Sequence, residues 1–443
     1  ITRIGTLLLT GLLLIPAASE AKTLYINGAT GNDAVTYAQN SVNAPWRSIG
    51  RAAWGSTNRD ARNAAEAAKA GDTVLVGSGG YATPGTNSRN EIAYYTENSG
   101  APGMPIIFQA VGSVTLTLSS GAGAVIGSYN RNYIVWDGFT INEASAPSVP
   151  DTGPVVVTGC TGCVLQNLDI NGNGSAGDRM DNHNGIRLEQ STNIVVRNNR
   201  IQNVYNGSNP NNGSCLMTYG IGAVTIEHNE IFNCGSGIFI KGGPTTFIDY
   251  ITIRYNLIYG IGVVRSGYPD GSAIILHAGA ANTPDKPSRI YQNVVRDCLN
   301  AAVKIWRFSA TDPANTPMNG KFVNNTFYNV PTGFWVDNEI LDNGGFVFRN
   351  NIVHDSHSSR YSGGIVAFVA MAYIVVLNPL ILGFTQDVNG KFLAIECKAG
   401  KGHPTELQMK NINAIRENGG IAVIVNEITV PVVEAWIKLI REK

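Results

Sequence analysis

Residues 391–408 read KFLAIECKAGKGHPTELQ. The apolar run predicts a strand. Residues two apart on a strand point to the same side, so Glu396 and Lys398 share one face. A Gly/Lys loop follows, and its Lys401 and His403 can meet a phosphate. Such a strand and loop have the shape of a nucleic-acid-cutting site, although Glu-x-Lys alone is a common spacing. A second set of candidates lies upstream. Arg187, Glu189, Lys241, His277, Lys304, Trp306, Trp335 and Asp337 occupy equivalent positions of a repeating phrase. Aromatic faces stack on sugar rings and cations hold carboxylates, so this set points to a groove for an acidic polysaccharide.

Both sets must be positioned by short β-strands. From Cys163 onward a phrase recurs as VLQNLDI, IVVRNNRI, VTIEHNEI, ITIRYNLI, RIYQNVV, FVNNTF and FVFRNNI. It sets Asn167, Asn199, Asn229, Asn256, Asn293, Asn325 and Asn351 in one column. A fixed motif at such a period, roughly 26 to 37 residues, predicts a solenoid. Asn tolerates the left-handed backbone of a tight corner, and stacked corner asparagines can hydrogen-bond along the axis.

A second phrase alternates with the first: NGIRLE, SGIFIK, SAIILH, AAVKIW and TGFWVD. Period-two alternation turns Ile186/Leu188, Ile238/Ile240, Ile274/Leu276, Val303/Ile305 and Phe334/Val336 inward. The outward positions are then Arg187/Glu189, Phe239/Lys241, Ile275/His277, Lys304/Trp306 and Trp335/Asp337. The stretch 215–219 does not align with this phrase.

Composition supports a β-rich exported scaffold. The chain has 443 residues, with 32 basic and 32 acidic side chains balancing to zero. That balance gives no global pull toward nucleic acid or an anionic membrane. Charged residues make up 14%, and 50 residues are Gly. The first residues, ITRIGTLLLTGLLLIPAASEAK, place Arg3 before an apolar core from Leu7 to Ile15. Small residues Ser19 and Ala21 follow, so residues 1–21 read as a signal peptide cleaved before Lys22, predicting a secreted, periplasmic or cell-surface protein. Cys160 and Cys163 have zinc-like spacing, but no matching second pair follows, and they read as small residues packed in a β core. Export permits disulfides among the six cysteines, with no pairing assigned. Residues 363–384 form a long apolar stretch, but Asn378 and Pro379 interrupt it and both phrases recur there, predicting a last rung rather than a membrane span.

The segments TLYINGATGNDA, APWRSIGRAA and AGDTVLVGSGGYAT look like the entry of secreted right-handed parallel β-helix proteins, the pectate-lyase-like group. The resemblance spans about residues 23–380 and implies a mainly β fold: a cap and first rungs over 22–160, then β-helix repeats over 161–380. In polysaccharide lyases of this group a Lys or Arg abstracts the proton alpha to a carboxylate, often with Ca²⁺. Lys241 or Lys304 could play that part, and Asp178, Asp181 and His183 could supply ligands for Ca²⁺, but no residue set here matches one lyase family's full motif, so no catalytic role is carried across. The fold also hosts hydrolases, tailspikes and inert adhesins, which keeps a non-catalytic stem among the readings.

The C-terminal stretch resembles the VRR-NUC family, a branch of the PD-(D/E)xK nucleases, through GKFLAIECKAGKG, PTELQ and GGIAVIV. The resemblance implies a small α/β, restriction-endonuclease-like module over 381–443 that binds nucleic acid. Asn389-Gly390 would turn its hairpin. Glu396 would bind Mg²⁺ or Mn²⁺, Lys398 would position or activate the attacking water, and Gln408 matches the family's helix glutamine. Relatives carry a metal-binding Asp where this chain has Leu380; Asp387 stands nearby, beside the hairpin turn. The leading functional expectation is thus a nuclease module carried on a secreted β-helix. The alternatives are a polysaccharide-binding or polysaccharide-cleaving β-helix, and a stem without catalysis.

Overall fold

The computed structural model describes residues 21–86, 91–117, 123–143, 153–172, 183–205, 213–241, 250–262, 271–277, 286–306, 319–336, 345–349 and 351–354. It also describes the backbone of three strands at 383–388, 391–397 and 421–425, and residues 409, 413, 416 and 417. The predicted signal peptide therefore lies outside the described residues, apart from Ala21. So do Asp178, Asp181, Asp337, Leu380, Lys398, Lys401, His403 and Gln408, and most of the apolar stretch 363–384.

Strands run parallel and coil into a solenoid. One turn consists of Asn184–Glu189, Ile194–Arg197 and Arg200–Gln202; the next repeats it as Ser214–Tyr219, Val224–Glu227 and Glu230–Phe232. Each strand pairs with its counterpart one turn on. Stacking of turns builds a nine-stranded sheet on one side and a nineteen-stranded sheet from the other two strands of each turn. Alternate, mostly aliphatic side chains of the solenoid strands point inward and merge into one core running from Leu24 to Val353. Such a core is assembled by nearest-neighbour stacking, so each rung depends on the two beside it.

The asparagine column is real and is shifted at one end. Asn199, Asn229, Asn256, Asn293, Asn325 and Asn351 form a buried ladder in which each Nδ2 donates to the next Oδ1 at 2.9–3.0 Å. Asn167 does not belong to it. It is left-handed (φ 56°) and donates to Asp137 Oδ1 at 2.6 Å. Its equivalents are Asn198, His228, Tyr255, Gln292 and Asn324, all left-handed at φ 55–57°. The left-handed corner residue is therefore the one before each ladder asparagine, and Leu168 takes the ladder position in the Asn167 rung, donating its N–H to Asn199 Oδ1 at 2.9 Å.

The unaligned stretch 215–219 is an ordinary rung. Leu216 pairs with Ile186 and Ile238, and Thr218 with Leu188 and Ile240. Thr218 fills an inward position usually held by an aliphatic residue and is fully buried.

Strand Thr23–Ile26 pairs in parallel with Thr73–Ala82, and the helix Ile49–Trp54 is buried throughout. Ser48 caps that helix by accepting from the Arg51 N–H, and Gly55 ends it at φ 72°, a conformation open to Gly.

The cysteines do more than pack. Cys160 pairs with Cys163, and Cys215 with Cys234, all four inside the core. Cys298 is buried and not disulfide-bonded, and burial pushes its thiol pKa up. The Cys215–Cys234 bridge spans 19 residues and joins the first strand of one turn to the corner just beyond its last. Closing a loop of that size restricts the unfolded chain by about 3 kcal/mol. Replacing both by Ala should lower the urea midpoint by an equivalent amount with little change in m value, as read by equilibrium denaturation.

At the C-terminal end, Gly383–Val388 and Lys391–Cys397 form the predicted antiparallel hairpin, and Ile421–Val425 adds in parallel. Glu396 is thus on the central strand of three, opposite Gly383 and Ile424. Three strands do not establish a restriction-endonuclease-like fold. No helix among the described residues is long and apolar enough to cross a membrane.

Candidate functional site

The outer face of the nine-stranded sheet carries the candidates. Register runs Arg187, Met217, Phe239, Ile275, Lys304, Trp335 along one column. A second column runs Tyr129, Thr158, Glu189, Tyr219, Lys241. Further along the face, His277 pairs with Trp306. For the described side chains the register agrees with the inward and outward positions read from the sequence; Trp306, Val336 and Asp337 lie outside that comparison. Neighbouring strands are about 4.8 Å apart, so the five residues of the second column span about 19 Å.

The face is not one open groove. Met217, Phe239 and Ile275 point away from the core yet are only 1–2% exposed, and they form a separate apolar cluster. His277, expected as a solvent-facing ligand, is 4% exposed, with its ring 6.4 Å from Phe239. This covered apolar centre separates two polar regions. Period-two alternation tells which face a side chain takes but not whether that face is covered, which is why the sequence pointed to a continuous groove.

The first region centres on Arg187 and Glu189. Arg187 Nε and Nη2 both reach Glu189 Oε1 at 2.5 Å, and Nη1 is 3.4 Å from Asn184 Oδ1. The two charges largely neutralise each other, so Arg187 is held in place rather than mobile. One and two rungs on, Tyr219 and Lys241 pair, with the ammonium 5.6 Å from the ring centroid. Tyr129, at the other end of the column, is 51% exposed and edge-on to Tyr95 at 6.5 Å. The second region pairs Lys304 with Trp335, ammonium to ring centroid 5.4 Å. Trp335 is partly buried. Trp306 is placed on its strand, but its side chain falls outside the described residues.

Tyr129 and Tyr219 were missed by sequence reading. Tyr219 belongs to the rung that did not align, and Tyr129 to AVIGSY, ahead of the recognisable repeat. Their signal was available in principle as an aromatic directly after a buried, small or polar inward residue, Ser128 for Tyr129 and Thr218 for Tyr219.

Of the residues expected around Ca²⁺, Asp178 and Asp181 lie outside the described residues and His183 is described. His183 is 1% exposed and its Nε2 lies 2.9 Å from Glu143 Oε2, also buried. A buried histidine engaged with a carboxylate is a poor member of an oxygen-lined cation site. Among the described residues, no group of three or more metal-ligating side chains gathers.

Residues 153–338 match the family model for the right handed beta helix region. The solenoid is a right-handed parallel β-helix. Its coil resembles the crystal structure of pectate lyase Pel9A, with a TM-score of 0.52 at 16% identity over 77% of each chain. Weaker likenesses include the Family 28 exopolygalacturonase of Yersinia enterocolitica (TM-score 0.35, 11% identity, 66% of this chain and 70% of that one). Another is PfbA, a surface adhesin of Streptococcus pneumoniae (TM-score 0.23, 10% identity, 64% of this chain and 85% of that one). At such identities the likeness concerns the fold alone. No curated protein matches the chain. The family match ends at residue 338, so the nuclease resemblance of residues 381–443, its nucleic-acid partner and its Mg²⁺ or Mn²⁺ site at Glu396 draw no support from it.

Proposed function

We propose that the β-helix binds an acidic polysaccharide along the outer face of its nine-stranded sheet. The observation that carries this reading is the pairing of each lysine on that face with an aromatic ring one rung away, Lys241 with Tyr219 and Lys304 with Trp335. A ring offers a flat apolar surface to a sugar, and the adjacent ammonium offers a charge-assisted hydrogen bond to a carboxylate. Arg187, clamped by Glu189 and Asn184, adds a fixed donor in the same face. The covered apolar centre around Phe239 and Ile275 divides the face into two contact regions, so a ligand reaching both must be a polymer rather than a single sugar.

The reading is tested by measuring affinity for a panel of acidic and neutral polysaccharides. Retention of the acidic members, weakening as salt is raised, is expected. Lys304→Ala and Lys241→Ala should each weaken binding by about tenfold, the equivalent of one charge-assisted hydrogen bond. Unchanged affinity in the double variant would remove the basis of the proposal. The absorbance of an unsaturated uronide is followed in the same samples. Its appearance would add an eliminative step to binding, with Lys241 or Lys304 as the base to be examined first.

A further inference from the structure

We propose that the chain is cleaved between Ala21 and Lys22 and that the α-ammonium so created becomes the counter-charge of buried Asp72. Asp72 is 0% exposed. Its Oδ1 accepts from the Lys22 backbone N–H at 2.9 Å. Its Oδ2 accepts from the Lys69 backbone N–H at 2.8 Å and the Tyr37 hydroxyl at 2.9 Å. All three donors are neutral. Among the described residues no side-chain cation forms an ion pair with Asp72. The two nearby lysines are directed elsewhere: the ammonium groups of Lys22 and Lys69 stand over the Tyr37 ring at 5.0 and 4.0 Å. Lys22 Nζ also donates to the carbonyls of Tyr37 and Ala38.

A buried carboxylate without a cation is costly, and buried charges in folded proteins are paired. The atom already touching Asp72 is the nitrogen that leader removal would convert into a cation. Lys22 directly follows the small-residue pair Ser19 and Ala21 that closes the apolar leader-like segment. In the cleavage, water adds to the Ala21 carbonyl carbon and the Ala21–Lys22 C–N bond breaks. Ala21 leaves as a carboxylate, and the Lys22 nitrogen takes up protons to become an ammonium. The catalyst is a signal peptidase of the export route. The product is already seated, because the Thr73 N–H donates to the Lys22 carbonyl at 3.0 Å and strand Thr23–Ile26 starts at the next residue. Leader removal thus completes the polar core of the cap.

The full chain, secreted from a bacterial host with its own residues 1–21, is analysed by intact mass and N-terminal sequencing; Lys22 is the expected first residue. The mature protein is then melted beside a chain carrying one extra methionine before Lys22, each with Asp72 and with Asp72→Asn. The extra residue should lower the melting temperature by about 2–4 °C with Asp72 and leave it unchanged with Asn. Where Asp72→Asn does not fold, acylation of the Lys22 α-amine decides, being at least tenfold slower in the folded mature protein than in urea. A different first residue, equal melting of the two Asp72 chains, the same penalty in the Asn background, or equal acylation rates each overturns the proposal.

Discussion

Ile240→Asp should unfold the middle of the solenoid, whereas Lys241→Asp, one residue on, should leave it folded. Ile240 is 1% exposed and lies between Thr218 and Leu276 in the stacked inner column. Removing its side chain from the core forfeits about 1.5–3 kcal/mol of burial. An unpaired buried carboxylate adds about 3–5 kcal/mol. The sum is comparable to the whole stability of a typical domain, about 5–15 kcal/mol. It also propagates, because a lost rung leaves the strands on either side with unpaired edges. Lys241 sits on the outer face, partly exposed, where surface substitutions stay within about 0.5 kcal/mol. Circular-dichroism melting should place Ile240→Asp at least about 10 °C below the parent, or yield no soluble protein. Limited proteolysis should open sites between residues 214 and 277. If the two variants melt together, the inward and outward assignments are off by one residue, since a one-residue slip exchanges the faces of a strand.

That test bears on what could be read from the residues. The alternation in NGIRLE, SGIFIK and AAVKIW was legible because aliphatic residues recur every second position and only one face of the strand is core. Arg187, Glu189, Lys241, Lys304 and Trp335 followed from it, and their register agrees. Rung 214–219 was illegible for two local reasons. Its inward position is Thr218, which packs as an aliphatic residue would but looks polar. Its outward position is Met217, which looks like core and is in fact buried on the other side of the sheet. Met217, Phe239 and Ile275 are buried on the outer face, and the alternation within a strand does not encode whether that face is covered. Cysteine pairing was equally hidden: Cys215 and Cys234 meet because the chain comes back on itself after one turn of the coil, which spacing alone does not reveal. The C-terminal motif was easy to see because it is contiguous, and contiguity made it more persuasive than its extent warranted. Its three segments cover about 60 residues, and where relatives carry the metal-binding Asp this chain has Leu380.

The second large effect separates two asparagines that look alike in sequence. Asn256→Leu should cost about 4 kcal/mol, and Asn167→Leu about 1–2 kcal/mol. Asn256 is 1% exposed. Its Oδ1 accepts from the backbone N–H and the Nδ2 of Asn229 at 3.0 and 2.9 Å. Its Nδ2 donates to the Ile226 and Arg254 carbonyls and to Asn293 Oδ1. Leucine has a similar size but makes none of these bonds. It strands the Asn229 N–H and weakens the satisfaction of the Ile226 carbonyl, each loss of a buried partner costing about 1–3 kcal/mol. The damage extends in both directions, because Asn229 and Asn293 are themselves links of the ladder. Asn167 is a corner residue with one side-chain bond, to Asp137, in a partly buried setting. Its replacement loses that bond and strains one left-handed residue. The ambiguity came from VLQNLDI having one asparagine where IVVRNNRI and FVFRNNI have two, so corner and ladder positions could not be told apart there. Urea denaturation of the two variants measures the gap directly: a midpoint loss for Asn256→Leu at least twice that of Asn167→Leu is expected, at similar m values. Equal losses would mean that the ladder contributes no more than the corner, and that the left-handed residues, not the buried amides, hold successive turns in line.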